Sequence, residues 1–377
     1  MNLKEIIHQL RTKARFEPRF IGILILIAVI TFLLVNWIGG KITSSIERKY
    51  YIVTPSDEMT IYEGIKRNIK DDFLFLLKPQ PSNLNGLPIR QNLARNQVVA
   101  VVIENYTPIR KQQVGIEGAA IVYESPAEGG ITRLLALYDG DPVDVIGPVR
   151  SARPYFIAWA SEYRAGFAHV GGSAEAMNNL KTNYRVLNID EFADSKTIWR
   201  NYTYEAPHNA FTSTNKLLAR LDKEKYYHPL KTKRFPFKDA DEISGDIKTI
   251  TIDFSLTPYF VKYIFDPTTK TYTRYNGEVL HHNIKPSNIL VQFVDTEVLD
   301  AEGRLRIQTN GTGKALIFRD GKVIEGTWEK DSSINSDDQD MSQSWTKFFD
   351  KDGKEIELNK GQIWIEVVPK GRSVNYF

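Results

Sequence analysis

Between Phe20 and Gly40 the chain reads FIGILILIAVITFLLVNWIGG, 21 residues without a charge. At about 1.5 Å per helical residue, such a run crosses the roughly 30 Å hydrocarbon core of a bilayer. A helix that is apolar on every face offers water no polar side, so the run predicts one membrane-spanning helix over residues 20–39. Lys4, Arg11, Lys13, Arg15 and Arg19 precede it, and Lys41, Arg48 and Lys49 follow closely. Excess positive charge stays on the cytoplasmic side, which puts residues 1–19 inside and the long remainder outside. A cleaved signal peptide is the competing reading. Against it, the run exceeds a usual h-region, and NWIGGK offers no small-x-small cleavage pattern.

The 377 residues leave enough chain beyond such an anchor for two ordinary domains. Lys and Arg number 49 against 46 Asp and Glu, a net charge of +3, and several of these cations sit ahead of the apolar run. No basic stripe remains to suggest a nucleic-acid partner. Cysteine is absent, which excludes disulfides, thiolate metal sites, cysteine nucleophiles and acylation through cysteine. An exported chain without disulfides fits a bacterium better than a eukaryotic secretory route.

Residues 1–19 form a basic segment in which Leu3, Ile6, Ile7 and Leu10 suit a helix lying on the inner leaflet, or a solvated tail. From residue 40 to 91 the periodicity fades and PQPSNLNGLPIR supplies turn residues, as expected of a spacer. Residues 92–240 carry buried-type strand runs, VVAVVIEN, AAIVYES, TRLLALYD and VDVIGPV, alternating with helix signals. Pro154 suits a first helical position, and Ser173 and Ser213 suit N-caps. The expectation is an α/β N-terminal domain. Residues 245–377 lose the helix signal and read as a mainly antiparallel β domain, with turns at Asn276-Gly277, Asp320-Gly321 and Asp352-Gly353 and a polar loop over 331–343.

Polar groups crowd the predicted strand ends, where open α/β sheets build their ligand crevices. GPVRSARP sends Arg150 and Arg153 out together just before a predicted helix, whose free N–H groups also attract anions. Planar guanidinium forks there suit a phosphate or carboxylate; equally, both arginines can pair with Glu124, Glu128 or Asp139 and hold the fold. Glu124 and Glu128 are candidates for the paired acids of a glycan-cleaving site, one protonated and one ionised. His169 is a candidate general base or phosphate-orienting group, or a core histidine satisfied by backbone. His208, in a Pro-Asn turn, is similar. AEGGITR lacks the spacing and the Lys-Ser/Thr ending of a phosphate loop, and Ser151 and Ser173 lack any sign of a nucleophile elbow. His281 and His282 have no acidic third ligand at metal spacing, so neither metal nor cofactor is expected. Trp328, Trp345, Trp364, Tyr272 and Tyr275 can pack a core or form a sugar-stacking platform.

With these segments in view, the chain resembles the YerB family of bacterial envelope proteins, built from paired N- and C-terminal domains of unknown function. The resemblance rests on VVIENYTPIR, AAIVYESPAEGGITRLLALYD, VIGPVRSARPYF, FAHVGGSAEA and APHNAF, then on NILVQFV, GTGKALIFRDGKVIEGTWEK and GQIWIEVVP, and covers about residues 85–375. Family members are typically tethered through an acylated cysteine; this chain has none and carries an apolar helix instead. The resemblance implies location and fold and draws attention to Glu104, Asn105, Glu124, Glu128, Arg133, Arg150, Arg153, His169, Gly171, Gly172 and His208. A weaker likeness is to the LytR-CpsA-Psr phosphotransferases, with VIGPVRSARP in the part of their pyrophosphate-holding arginines, although no Asp-rich metal elements are evident.

The expected protein is therefore a single-pass bacterial membrane protein, anchored in the lipid bilayer through residues 20–39. Its extracytoplasmic domains bind an anionic cell-wall or lipid-linked ligand, or an envelope protein partner, through Asn105, Arg133, Arg150, Arg153, Gly171, Gly172 and His208. The alternative is an envelope glycan enzyme, a phosphotransferase using Arg133, Arg150 and Arg153 or a glycan hydrolase using Glu124 and Glu128. A purely structural role, with recruitment through residues 1–19, is a third.

Overall fold

The computed structural model describes residues 81–89, 97–183, 185–230, 232–239, 245–331 and 345–377. The expected segments 1–19 and 20–39, the spacer up to residue 80 and the loop beyond Asp331 lie outside the described residues. Among the described residues no helix is long and apolar enough to cross a membrane.

The fold is mainly β. Its first part holds β1 (Val99–Glu104), β2 (Ile121–Pro126), β3 (Thr132–Tyr138), α1 (Pro154–Glu162), β4 (Gly166–His169), α2 (Ala174–Thr182), β5 (Leu187–Asp190), β6 (Trp199–Arg200), β7 (Ala210–Phe211) and α3 (Thr214–Lys223). The strands β8 (Thr249–Asp253), β9 (Phe260–Asp266), β10 (Thr271–Asn276), β11 (Val279–Leu280), β12 (Asn288–Val294), β13 (Thr296–Val298) and β14 (Leu305–Ile307) follow. The last part holds β15 (Gly311–Arg319), β16 (Lys322–Lys330), β17 (Lys347–Asp350), β18 (Ile363–Pro369) and β19 (Val374–Tyr376).

Ten strands form one sheet in the order β17-β16-β15-β12-β18-β2-β3-β1-β4-β5. The segments on either side of residues 240–245 meet inside it, because β18 runs parallel to β2 with Ile363 beside Ile121 and Glu366 beside Glu124. The strands β12, β18, β2, β1, β4 and β5 share one direction, and β3 lies antiparallel between β2 and β1. Every residue of β1, β2 and β3 is buried, which is why these runs are apolar without alternation. Helices α1 and α2 cover one face, packing Phe156, Trp159 and Leu180 with Val102, Leu135 and Ile365. Helix α3 and a five-stranded sheet, β11-β10-β9-β8-β19, cover the other. That smaller sheet is buried on one side only, and β8 and β10 alternate accordingly.

Local signals place several elements. Ser173 and Ser213 accept hydrogen bonds from the Ala176 and Lys216 N–H groups and cap α2 and α3, each cap worth about 1 kcal/mol. Asp320 and Gly321, both at positive φ, make the two-residue turn of the β15–β16 hairpin. VDVIGPV does not form the expected strand; Ile146, Gly147 and Val149 make isolated bridges to Thr212, Val114 and Ile103. Pro148 has no N–H to give a ladder, and a Cβ on Gly147 would lie 2.9 Å from the Ala210 carbonyl. Within the span read as spacer, residues 81–89 pack onto the body. Leu84 is fully buried, the Ser82 hydroxyl donates to both Asp139 oxygens (3.0 and 2.8 Å), and the Arg234 N–H reaches the Asn83 carbonyl.

Candidate functional site

The carboxyl ends of β1 and β2, the start of β3, the segment ahead of α1 and the loop ahead of β7 supply two adjoining charge clusters. In the first, Glu104 ends β1 with only 1% of its side chain exposed, beside Arg150 (Nε···Oε2 2.7 Å) and His208 (Nδ1···Oε2 2.9 Å). Tyr106 stacks on the His208 ring at 5.9 Å. In the second, the Glu128 carboxylate bridges Arg153 and Arg133, through the Arg153 Nε–H on one oxygen and the Arg133 Nη2 (3.3 Å) on the other. Arg133 is buried, its Nη1 donates to the Ser151 carbonyl (3.4 Å), and its Nε has no partner. Burial, then the neighbouring charges of Arg153 and Arg150, hold the Arg133 pKa below its ordinary value. Burial works against the charge of Glu128, but Arg133 and Arg153 outweigh it and keep this carboxyl below its usual range. Three guanidinium groups thus face two carboxylates, leaving one unbalanced positive charge among side chains that are at most 19% exposed.

The other sequence candidates fall elsewhere. Glu124 is fully buried on the face under the smaller sheet, where it accepts from Arg274 Nη2, Thr132 Oγ1 (2.6 Å) and Asn105 Nδ2 (3.1 Å). Glu124 and Glu128 are therefore not brought together as a pair of acids, because Glu124 lies within β2 and faces Arg274 whereas Glu128 lies in the turn beyond the strand and faces Arg133 and Arg153. Asn105 belongs to this buried cluster, its Oδ1 accepting from Arg110 Nε and Gln113 Nε2, both at 3.1 Å. His169 is buried with Nδ1 on the Gly171 carbonyl (2.8 Å) and Nε2 on the Asn188 side chain (2.7 Å), which leaves neither ring nitrogen for a ligand. Gly171 donates to Asp190 (2.9 Å), and a Cβ on Gly172 would lie 3.1 Å from the Ala152 carbonyl; both glycines seat the 150–153 segment against β4. Of the five aromatic residues considered for a sugar platform, Trp328, Trp364 and Tyr272 are fully buried.

Sequence reasoning missed Arg274, Tyr263 and Glu366. Arg274 stacks 4.5 Å over Trp364 and donates to Asn276 (2.7 Å), while the Tyr263 hydroxyl donates to Glu366. Burial, then the charge of Glu124 on the adjacent strand, push the Glu366 carboxyl far above its ordinary value. Burial and Arg274 hold the neighbouring His281 ring neutral. The available signal was a lone Glu in the apolar run IWIEVV and an Arg at an inward position of TYTRYN.

Comparison with known proteins identifies the relatives of this architecture. The Bacillus subtilis protein named "Putative lipoprotein YerB" is 30% identical over 296 residues, which span 76% of this chain and 85% of that protein. The chain belongs to the YerB family. The family described as protein of unknown function (DUF3048) matches with its N-terminal domain over residues 84–227 and its C-terminal domain over 250–365. The crystal structure of YerB from Bacillus subtilis matches with a TM-score of 0.68 at 27% identity, covering 78% of this chain and 99% of that one. In this family member the β2–β18 pairing and the Glu124–Arg274 ion pair both join the N-terminal match to the C-terminal one.

Proposed function

We propose that this YerB-family protein is anchored in a bacterial membrane through residues 20–39 and binds an anionic ligand of the cell envelope, at the outer side, in the crevice of Arg133, Arg150 and Arg153. The carrying observation is the excess of guanidinium over carboxylate at the sheet's carboxyl ends, with one buried arginine whose Nε has no partner. A buried donor without an acceptor costs about 1–3 kcal/mol, which an oxygen-rich ligand would recover. The N-terminus of α1, which begins at Pro154 directly after Arg153, adds favourable potential for an anion. The outward location is supported by the lipoprotein name of the Bacillus relative and by the uncharged run ahead of the folded part. Binding without turnover is favoured over glycan hydrolysis by the separation of Glu124 from Glu128. Calorimetric titration of the full-length protein in mild detergent with wall fragments and lipid-linked phosphates tests the reading. Binding that survives the double substitution Arg150→Ala and Arg153→Ala removes the site.

A further inference from the structure

Resting on that reading, we propose that Glu128 is a built-in occupant of the crevice whose carboxylate stands where a phosphoryl group of the ligand binds, and that it leaves when the ligand arrives. A single carboxylate bridges two guanidinium groups from different elements, Arg133 on β3 and Arg153 at the N-cap of α1. Two arginines converging on one oxyanion is the arrangement that recognises phosphate.

The two carboxylates of the crevice differ in freedom. Glu104 is 1% exposed and held by both Arg150 and His208, whereas the Glu128 side chain is 19% exposed and sits beside a 3%-exposed Arg133. Glu128 also opens the turn Glu128–Gly130, whose two glycines have φ of 65° and 73°, and nothing lies within 4 Å of where a Gly129 Cβ would be. The Gly130 carbonyl is anchored by the Ser255 hydroxyl and the Glu128 carbonyl by the Ile131 N–H (3.3 Å), so the backbone of the turn stays put and the 19%-exposed Glu128 side chain turns out of the crevice about its own bonds.

Charge points to the ligand class. With Glu128 in place, three guanidinium groups face two carboxylates; with it out, they face Glu104 alone and two positive charges are uncompensated. A terminal phosphoryl group carries about −1.5 to −2 at neutral pH and three acceptor oxygens, enough to engage Arg150 as well as Arg133 and Arg153. A carboxylate ligand would match neither the charge nor the number of donors. The ligand is thus a phosphomonoester or a terminal pyrophosphate, whether free or on a lipid headgroup.

The test titrates the full-length protein in mild detergent with inorganic pyrophosphate, comparing wild type, Glu128→Gln, Glu128→Ala and Glu205→Gln, the last removing an exposed charge near His208. If Glu128 fills the crevice nine-tenths of the time, both Glu128 variants bind about tenfold more tightly, and Glu205→Gln changes affinity by no more than about twofold. A parallel arm uses phosphatidylcholine vesicles with and without a phosphomonoester lipid. Tightening with pyrophosphate points to a soluble source of the phosphoryl group, and tightening confined to the vesicles points to a headgroup. Glu128 variants that bind no more tightly than Glu205→Gln in either arm overturn the proposal. If binding is then still lost in Arg150→Ala with Arg153→Ala, the crevice stands and the built-in occupant alone is refuted. If no protein binds either probe, both fall together.

Discussion

Arg274→Met removes the positive charge at the centre of the layer between the two sheets while keeping a long side chain over Trp364. Arg274 and Glu124 are both fully buried, and their contact joins residues 150 positions apart. Without Arg274, Glu124 keeps Thr132 and Asn105 as donors but carries an uncompensated buried charge, which costs about 3–5 kcal/mol. The lost stacking on Trp364 adds about 1 kcal/mol. Against a total stability of about 5–15 kcal/mol this is a large fraction, and it should lower the melting temperature by on the order of 10 °C. The assay is urea and thermal unfolding followed by circular dichroism and tryptophan fluorescence. Because the cost is that of a stranded charge, adding Glu124→Gln should restore at least about 2 kcal/mol, an interaction energy of the size expected for contacting residues. Arg274→Met within about 1 kcal/mol of wild type, or a double variant no better than the sum of the singles, would refute the reasoning.

Three further outcomes follow from the structure. Folding buries Asp139 and raises its pKa from the ordinary 3.8 to about 6, so its contribution is complete below pH 3.8 and is lost as pH rises through 6. At roughly 1.4 kcal/mol per unit the loss is about 3 kcal/mol, and Asp139→Asn, which keeps an acceptor for Ser82, should gain stability relative to wild type between pH 4 and pH 7. An equal stability difference at both ends of that window, measured by urea unfolding, would contradict it. Gly147→Ala places a methyl 2.9 Å from the Ala210 carbonyl and 2.7 Å from the Phe211 ring. It should cost about 1–3 kcal/mol in the same assay, and a neutral result would show that the 146–149 segment yields freely. Protease added to intact protoplasts should remove the bulk of the protein, and protection under conditions that digest an external control would overturn the outward orientation drawn from residues 1–39.

The legible parts of the fold were those set by near neighbours in the chain. Ser173 and Ser213 cap helices three residues on, Asp320-Gly321 turns a hairpin, and the unbroken apolar runs of β1, β2 and β3 mark strands buried on both faces. VDVIGPV has the same composition, yet its Pro and Gly admit only isolated bridges. The arginine cluster was visible for a similar reason, since GPVRSARP carries Arg150 and Arg153 in one short stretch. Of their partners, Glu128 was among those named and does pair with Arg153, whereas the pairing of Arg150 with Glu104 and of Glu104 with His208 was not, because Glu104 ends β1 and His208 lies 104 residues further along, so no spacing rule relates them.

From the residue order alone come the apolar 20–39 run and its charged flanks, the strand and turn signals, and a chain without cysteine that must rely on packing. Whether a polar residue inside those strands is a liability or an anchor depends on what lies across the sheet, and periodicity carries no such information. Glu124 and Glu366 become neighbours only when β18 adds in parallel to β2, and Arg274 reaches them only when β10 is laid over that face. Arg133, Arg150 and Arg153 are brought near one another by other long-range contacts, the pairing of β3 with β1 and the bonds from residues 150–152 to Val102 and Gly171. Register and sheet packing, which are long-range and cooperative, determine where each charge goes.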